Sequence, residues 1–486
     1  MELIHSIRPL AAVLVSLFVI PILISCGERR PNFREAWTFV AGIIKFSIIV
    51  SMVPGVLKGA KYYFCLVKLG EGVSISFKVD GLGLTFALVA SFLWIVTSLY
   101  SIGYMRGLKE HSQTRFFCFF ALALSSTIGV AFSANLLTMY MFYEILSLST
   151  YPLVVHHQDE EAKISGRKYL TYIITTSVGL VLPAMIICYI HAHTLAFQSN
   201  GILMGKGSDL LLTILFFMFL FGFAKAAIMP LHSWLPAAMV APTPVSALLH
   251  AVAVVKVGVF SIIRIFTGIY GIELIKNLHL GVYSAYIAAF TILVGSLIAM
   301  SQDELKRRLA FSTISQLSYI ILGISLLTPR GMLGGIIHIV MHAFGKITLF
   351  FGAGAIYVAT GKKYISQLNG LGKKMPITFL TFFIGAISVI GLPPTGGFYS
   401  KWYLVLGCID AHNLLLLLVL LISSFLNAVY FLPIVFKGFF YNANDSEEIK
   451  EAPICCIIPM IITALISIIL FFYQDIFYKL ILIGLK

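Results

Sequence analysis

Apolar runs close to 20 residues long recur along the whole chain, each closed by a short break of charged residues, proline or glycine. A run of about 20 apolar residues crosses a bilayer as one helix. Fourteen such spans are predicted, beginning near Pro9, Trp37, Gly81, Arg115, Ala134, Lys168, Asp209, Pro244, His279, Leu309, Met332, Met375, His412 and Pro453. The pattern predicts an all-α polytopic membrane protein with about 14 transmembrane helices and no long soluble insertion. One stretch has a different period. Val73, Ile75, Phe77 and Val79 alternate with Ser74, Ser76, Lys78 and Asp80, which predicts a small surface β-hairpin near 73–80, between the second and third spans.

Composition narrows the function. Of the 486 residues 59% are hydrophobic and 11% charged, with a mean hydropathy of +0.97. A soluble domain carries roughly 25% charged residues, so this chain cannot cover a water-facing surface and a soluble enzyme is excluded. The net charge of +14 would suggest nucleic acid if it were clustered. Here the basic residues sit mostly in short loops, as in multi-pass membrane proteins, and no nucleic-acid partner is expected. Loops after odd-numbered spans hold eighteen Lys and Arg; the termini and the even loops hold ten. That bias predicts odd loops in the cytoplasm and both termini on the outer side of a prokaryotic cell (inner) membrane. The seven cysteines are scattered and form no CxxC, so no iron–sulfur cluster, zinc site or disulfide framework is expected. The sequence calls for no cofactor and no metal.

The N-terminus has two readings. Arg8, an apolar run and Leu23-Ile24-Ser25-Cys26 resemble a lipoprotein signal peptide with a modifiable cysteine. The run is long for a signal segment, and an even number of spans suits the loop charges, so an ordinary first helix is expected.

Charges inside the spans carry the functional argument. Lys45, Glu144, Lys225, Lys256, Lys346 and Lys401 fall well inside predicted helices, joined by His250, His338 and His342. Each centred charge costs about 2.5–3.5 kcal/mol, so six facing lipid would cost on the order of 15–20 kcal/mol. That exceeds the usual net stability of a fold. These residues must therefore face one another, buried polar groups or water. Loss of water disfavours an ammonium and a nearby carboxylate favours it. A Glu144–Lys225 pair would thus hold a proton when closed and release it when open, with no metal or organic cofactor. The alternative is a static ion pair that fixes helix register. Lys45 is expected to snorkel to an interface. His338, His342 and Lys346 stand at i, i+4 and i+8, on one helix face, which suggests a hydrated proton path. Metal ligation by the two histidines lacks a carboxylate or thiolate helper nearby.

Two spans are predicted to break. Lys225 is followed by Pro230, Pro236, Pro242 and Pro244, and Gly391-Leu392-Pro393-Pro394-Thr395-Gly396-Gly397 precedes Lys401 by one turn. Proline removes a backbone donor, so helices 7 and 12 are expected to be discontinuous. Freed backbone groups at membrane depth need protein or water around them. Paired breaks in two halves point to inverted-repeat transporters, and five spans, an odd number, separate these two.

These motifs resemble one family. Phe142-Tyr143-Glu144, Gly222-Phe223-Ala224-Lys225, His232-Ser233-Trp234-Leu235-Pro236, Ala241 to His250, Val255-Lys256-Val257-Gly258, Asp303 to Arg307 and Ser312 to Gln316 are similar to the antiporter-like subunits of respiratory complex I, Mrp-type sodium/proton antiporters and membrane-bound hydrogenases. The resemblance runs from about Asp80 to Lys401. It implies fourteen helices with two inverted five-helix repeats: 1–113 for helices 1–3, 114–266 for repeat one, 279–436 for repeat two, and 453–486 for helix 14 and a C-terminal tail. It implies that Glu144 pairs with Lys225, that Lys256 is a central lysine and Lys401 a terminal one, that His250, His338 and His342 lie on a polar axis with Lys346, and that Asp303 and Lys306 are structural. Lys401 stands where one complex I branch has glutamate, and the chain ends about a dozen residues after the last span. A D-type Mrp or hydrogenase-type subunit therefore fits better than the branch with a lateral helix.

Two functions follow. The first is a proton-translocating subunit driven by redox or ion-gradient work in partner membrane subunits of a complex I, Mrp or hydrogenase-like assembly, surrounded by lipid. The second is a stand-alone monovalent cation/proton antiporter. Glu144 is the one clear carboxylate inside the spans, which disfavours Na⁺ relative to H⁺ as the ion held by this chain, although carbonyls at the breaks could contribute. A redox enzyme is disfavoured by the absence of cluster cysteines and of a nucleotide fingerprint.

Overall fold

The computed structural model describes residues 2–442 and 449–485. Lys486, the last residue of the expected C-terminal tail, lies outside them. Fourteen helical spans run through the described residues. They are α1 (Arg8–Cys26), α2 (Pro31–Val50), α3 (Gly81–Gly107), α4 (Gln113–Ala131), α5 (Leu136–Val154), α6 (Glu160–Ala192), α7 (Asp209–Gly222), α8 (Thr243–Tyr270), α9 (Leu280–Ser301), α10 (Leu305–Ser325), α11 (Pro329–Thr360), α12, α13 (Leu414–Phe440) and α14 (Ile454–Phe472). The twelfth, α12, comes in two pieces, Pro376–Ile390 and Gly397–Asp410. Ten of the spans are long and apolar enough to cross a membrane on length and composition alone. The chain is a polytopic all-α membrane protein.

Local chemistry sets the helix starts. Asp80, Asn135, Asp159, Thr328 and Asn413 each stand one residue before a helix and accept a backbone N–H from its first turn, which satisfies donors that the helix itself cannot. Pro31, Pro329 and Pro376 occupy first-turn positions, where a missing N–H costs nothing. Two helices begin earlier than their hydropathy suggests. The start of α2 carries Arg34 and Glu35, both buried, because Arg34 pairs with Glu28 at 2.9 Å and Glu35 with Arg106 at 2.6 Å. The first turn of α6 carries Glu160 and Glu161, at the end where the helix dipole favours anions.

A three-stranded sheet sits beside the bundle, in the order β1 (Leu3–His5), β2 (Lys61–Gly70), β3 (Val73–Val79). The β2–β3 pair is antiparallel and β1 joins β2 in parallel. Asn135, the cap of α5, donates to the Ser74 carbonyl at 2.8 Å and so ties the sheet to the bundle. After α14 the chain forms one more helix, α15 (Asp475–Leu485), which packs so closely on α3 that a Cβ on Gly81 would collide with the Leu480 carbonyl.

Burial sorts the bundle into a centre and a rim. The most apolar windows of α8 and α11 are wholly buried, whereas those of α1, α2, α6, α13 and α14 are 39% buried. Helices α8 and α11 carry Lys256, His250, His338, His342 and Lys346. The two spans enclosed by protein are thus the ones with the most ionisable groups, which keeps the cost of exposing them to lipid out of the fold.

Candidate functional site

The break in α7 builds the first part of the site. The helix stops at Gly222, and a 3-10 turn of Ala224–Ala226 carries Lys225 into the interior. Trp234 donates its indole N–H to the Ala224 carbonyl at 3.0 Å, so an acceptor freed by the break is satisfied from further along the chain. Helix α8 crosses this turn at Gly258, where a Cβ would collide with Lys225 and Ala226 backbone atoms. Lys225 grips Tyr143 twice: its amide donates to the Tyr143 hydroxyl at 3.3 Å, and its ammonium donates to the Tyr143 carbonyl. The same ammonium lies 3.4 Å from the centre of the Tyr143 ring, a cation–π contact. Glu144, next in the chain, keeps a buried Oε1 with no hydrogen-bond partner. Glu144 and Lys225 form no ion pair; the structure has the pair open.

The second part is a row at the crossing of α8, α10, α11 and α12. Lys256 Nζ lies 2.8 Å from His342 Nδ1. The His342 and His338 rings are 5.7 Å apart, one turn along α11. His338 Nδ1 lies 2.8 Å from the Ser400 hydroxyl, and its Nε2 lies 3.1 Å from Gln316 Oε1. Lys401, beside Ser400, donates to the Ile390 carbonyl at 2.9 Å and the Ser424 hydroxyl at 3.0 Å. The Tyr319 ring stacks on His338 at 5.6 Å and lies under the Lys401 ammonium at 4.8 Å. Lys256, His342, His338 and Lys401 therefore form one buried row.

The break in α12 makes room for Lys401. Gly391 ends the first piece with φ of 90°, a left-handed conformation that glycine adopts without strain. A Cβ there would press on the aliphatic stem of Lys401. The Ile390 carbonyl, at the end of that piece, is the oxygen that receives the Lys401 ammonium. At Gly334 a side chain would come within 2.7 Å of the Leu404 amide, so this glycine lets α11 approach the second piece of α12 and brings Ser400 to His338.

Other expected site residues stand apart from the row. Lys346 shares a helix face with His338 and His342 but donates to the Ser312 hydroxyl at 2.9 Å, which also receives the Tyr430 hydroxyl at 3.0 Å. His250 is buried against the Phe350 ring at 4.9 Å, and neither of its ring nitrogens is hydrogen-bonded. Lys45 does not snorkel. It is wholly buried and donates to Ser16 on α1 at 2.5 Å, over the Trp94 ring at 5.2 Å. Lys306 anchors α10 by donating to the Ala241 carbonyl at 2.6 Å, and Asp303 receives the Ser366 hydroxyl at 2.7 Å.

One buried ion pair escaped the sequence reading. Arg264 of α8 donates from both terminal nitrogens to Asp80, at 2.6 and 2.8 Å. An arginine in the apolar run from Val254 to Tyr270, eight residues after Lys256, was the available signal. Asp80 lies just before α3. Burial pushes its carboxyl up, but the Arg264 charge and hydrogen bonds, with Lys78 and the Gly83 amide, outweigh this and hold it at about 2.

A bundle of broken and unbroken spans around an enclosed row of lysines and histidines defines a polytopic membrane protein with an internal polar axis. The chain belongs to the family described as "NADH:quinone oxidoreductase/Mrp antiporter, TM", whose model matches residues 133–427, more than half of the chain. A second model, "NADH-Ubiquinone oxidoreductase (complex I), chain 5 N-terminus", matches residues 69–117. NADH-quinone oxidoreductase subunit N of Desulforudis audaxviator is 30% identical over 92% of this chain and 89% of its own length. The "Putative antiporter subunit mnhA2" of Staphylococcus saprophyticus is also 30% identical, over 97% of this chain, but the chain spans only 62% of that protein. Equal identity to members of two branches marks the family rather than a branch. The fold is shared with a chain of the membrane-bound sulfane sulfur reductase, an archaeal respiratory membrane complex, at a TM-score of 0.86 and 24% identity over 98% of this chain and 96% of that one.

Proposed function

We propose that this chain is a proton-translocating, antiporter-like subunit of a multisubunit membrane complex, moving H⁺ along a buried Glu/Lys/His axis while partner subunits supply redox or ion-gradient work. The observation that carries the reading is the row Lys256–His342–His338–Lys401. Its members are groups that bind and release protons, they are shut away from lipid, and the Lys256–His342 link is a direct hydrogen bond. Glu144 and Lys225 act as the switch: the open arrangement leaves a carboxylate oxygen free to draw the Lys225 ammonium back. Lys256 hands its proton to His342 across the 2.8 Å bond, His338 takes it onward, and Lys401 is the terminal site. His250 and Lys346 flank this path and set its charge. The interrupted α7 and α12, five spans apart, support reading 114–266 and 279–436 as inverted five-helix repeats. The loop charge bias supports both termini on the outer side of a prokaryotic inner membrane. Kinship with complex I and antiporter subunits supports other membrane subunits as partners.

The test uses the assembled complex in proteoliposomes. Lys225→Ala and Glu144→Ala are expected to abolish most proton movement while the chain still inserts and assembles. Normal proton movement in both variants would overturn the switch. Cation/proton exchange by the chain alone in liposomes would overturn the dependence on partners and favour a stand-alone antiporter.

A further inference from the structure

Away from the polar row, two turns meet beside the ends of α3 and α5. Glu110 and His111 lie between α3 and α4, and His156 and His157 follow the end of α5. Three imidazole nitrogens surround one carboxylate oxygen: His111 Nδ1 at 3.9 Å, His156 Nε2 at 3.8 Å and His157 Nδ1 at 3.6 Å from Glu110 Oε2. Donor atoms from Glu110, His111 and His156 all lie within 4.8 Å of one another. His156 is fully buried, and neither of its ring nitrogens has a hydrogen-bond partner. Such a group is costly to bury unless something accepts its lone pair.

We infer that Glu110, His111, His156 and His157 form a binding site for a divalent transition metal, with zinc as the cation that fits best. Zinc bonds of about 2.0–2.1 Å to nitrogen and oxygen place tetrahedral ligands about 3.3–3.4 Å apart. The separations from Glu110 Oε2 exceed that edge by a few tenths of an ångström, and the spacing among Glu110, His111 and His156, up to 4.8 Å, requires the His111 and His156 rings to draw in around the ion, with His157 joining from beside Glu110. Imidazole with one carboxylate suits zinc, whereas calcium and magnesium take sets of oxygen ligands. Arg115 is the nearby opposing cation; its Nη2 donates to the His156 carbonyl at 2.9 Å, which holds the turn and leaves the ring nitrogens free. Access comes from the water side, where the His111 side chain is 48% exposed and that of His157 33%. His157 also lines a polar cavity of about 340 Å³ shared with Asp159, Glu161 and Lys306. A metal here clasps the α3–α4 turn to the end of α5, the helix that carries Glu144. This inference stands independently of the proton-carrying reading. The sequence expected no metal, because its search rested on cysteine spacing and on histidines inside spans, and these four ligands come from two separate turns.

The experiment uses the full chain in detergent, stripped with chelator and dialysed. Zn²⁺ is titrated against a chromophoric competitor, and Co²⁺ serves as a spectroscopic probe. One Zn²⁺ per chain, tetrahedral Co²⁺ bands and a raised Tm on metal addition are expected. His111→Ala and Glu110→Gln should each weaken binding by at least about tenfold, while His412→Asn, at an exposed histidine elsewhere, binds as the wild type. Both test variants lie at the water-facing turn, and an unchanged metal-free Tm shows that they fold. Undiminished binding in both variants, or no saturable Zn²⁺ uptake by the wild-type chain, overturns the site.

Discussion

Lys256 Nζ and His342 Nδ1 share a hydrogen bond of 2.8 Å, although the two residues stand on different helices and 86 positions apart in the chain. Both are natural proton carriers, and two positive charges at that distance in a buried site repel strongly. In the proposed relay, a proton arriving at one member favours release from the other.

That link gives the first prediction. Lys256→Ala and His342→Ala are each expected to slow proton translocation by roughly 10²-fold or more, the usual weight of a positioned acid–base group. The double variant should be little worse than either single one, because both remove the same link. Rates in proteoliposomes made from the assembled complex check this. Losses that multiply would mean that the two residues act separately.

Glu144 offers a test of the open switch through stability. If Glu144 and Lys225 were paired at rest, Glu144→Gln would break a buried ion pair at a cost of about 3–5 kcal/mol. With Lys225 bonded to the Tyr143 carbonyl instead, the expected cost is about 1 kcal/mol or less, together with a large loss of proton movement. Equilibrium unfolding in mixed micelles, set beside transport, distinguishes the two.

Gly258 is where α8 meets the broken end of α7. Gly258→Ala places a methyl group against backbone rather than a flexible side chain. The expected destabilisation is about 1–3 kcal/mol, with transport lost along with the position of Lys225. Gly179→Ala, at a glycine with open space around it, is the matched control and should leave both unchanged. Tm and transport measured on the two variants decide it.

The Asp80–Arg264 pair predicts a pH dependence. Arg264 holds the folded Asp80 carboxyl at about 2, below the unfolded value of about 3.9. A folded value lowered in this way contributes stability that is complete above about pH 4 and is lost as the pH falls toward 2. Asp80→Asn should cost about 3–5 kcal/mol at neutral pH, and the Tm gap between variant and wild type should narrow between about pH 4 and 2. A gap that stays constant through that window would remove the ion pair as its cause.

Much of the bundle was legible because lipid imposes a simple rule. Every span must be apolar and helical, so the beginnings of helices such as α3, α7 and α9 could be read from the chain. The starts of α2 and α6 could not: at α2, Glu28 just before the helix and the distant Arg106 make a polar start tolerable, and at α6 two glutamates stand at the end where the helix dipole favours anions. Strand β1 was missed for a related reason: it is three residues long, and its pairing with Lys61–Tyr63 is a contact between segments that carry no mutual signal.

By itself the sequence determined that this is a multi-pass membrane protein with ionisable residues in its interior and prolines and glycines that interrupt two spans. Composition and spacing are local properties, and the energetic cost of a charge in lipid does not depend on its neighbours' identities. Which charge meets which was decided by tertiary structure alone. Lys256 reaches His342 and Lys346 reaches Ser312, Lys225 turns from Glu144 to a backbone carbonyl, and three imidazoles from two turns converge on Glu110, because helix crossings set by glycine contacts and backbone breaks fix distances of a few ångströms that no periodicity along the chain encodes.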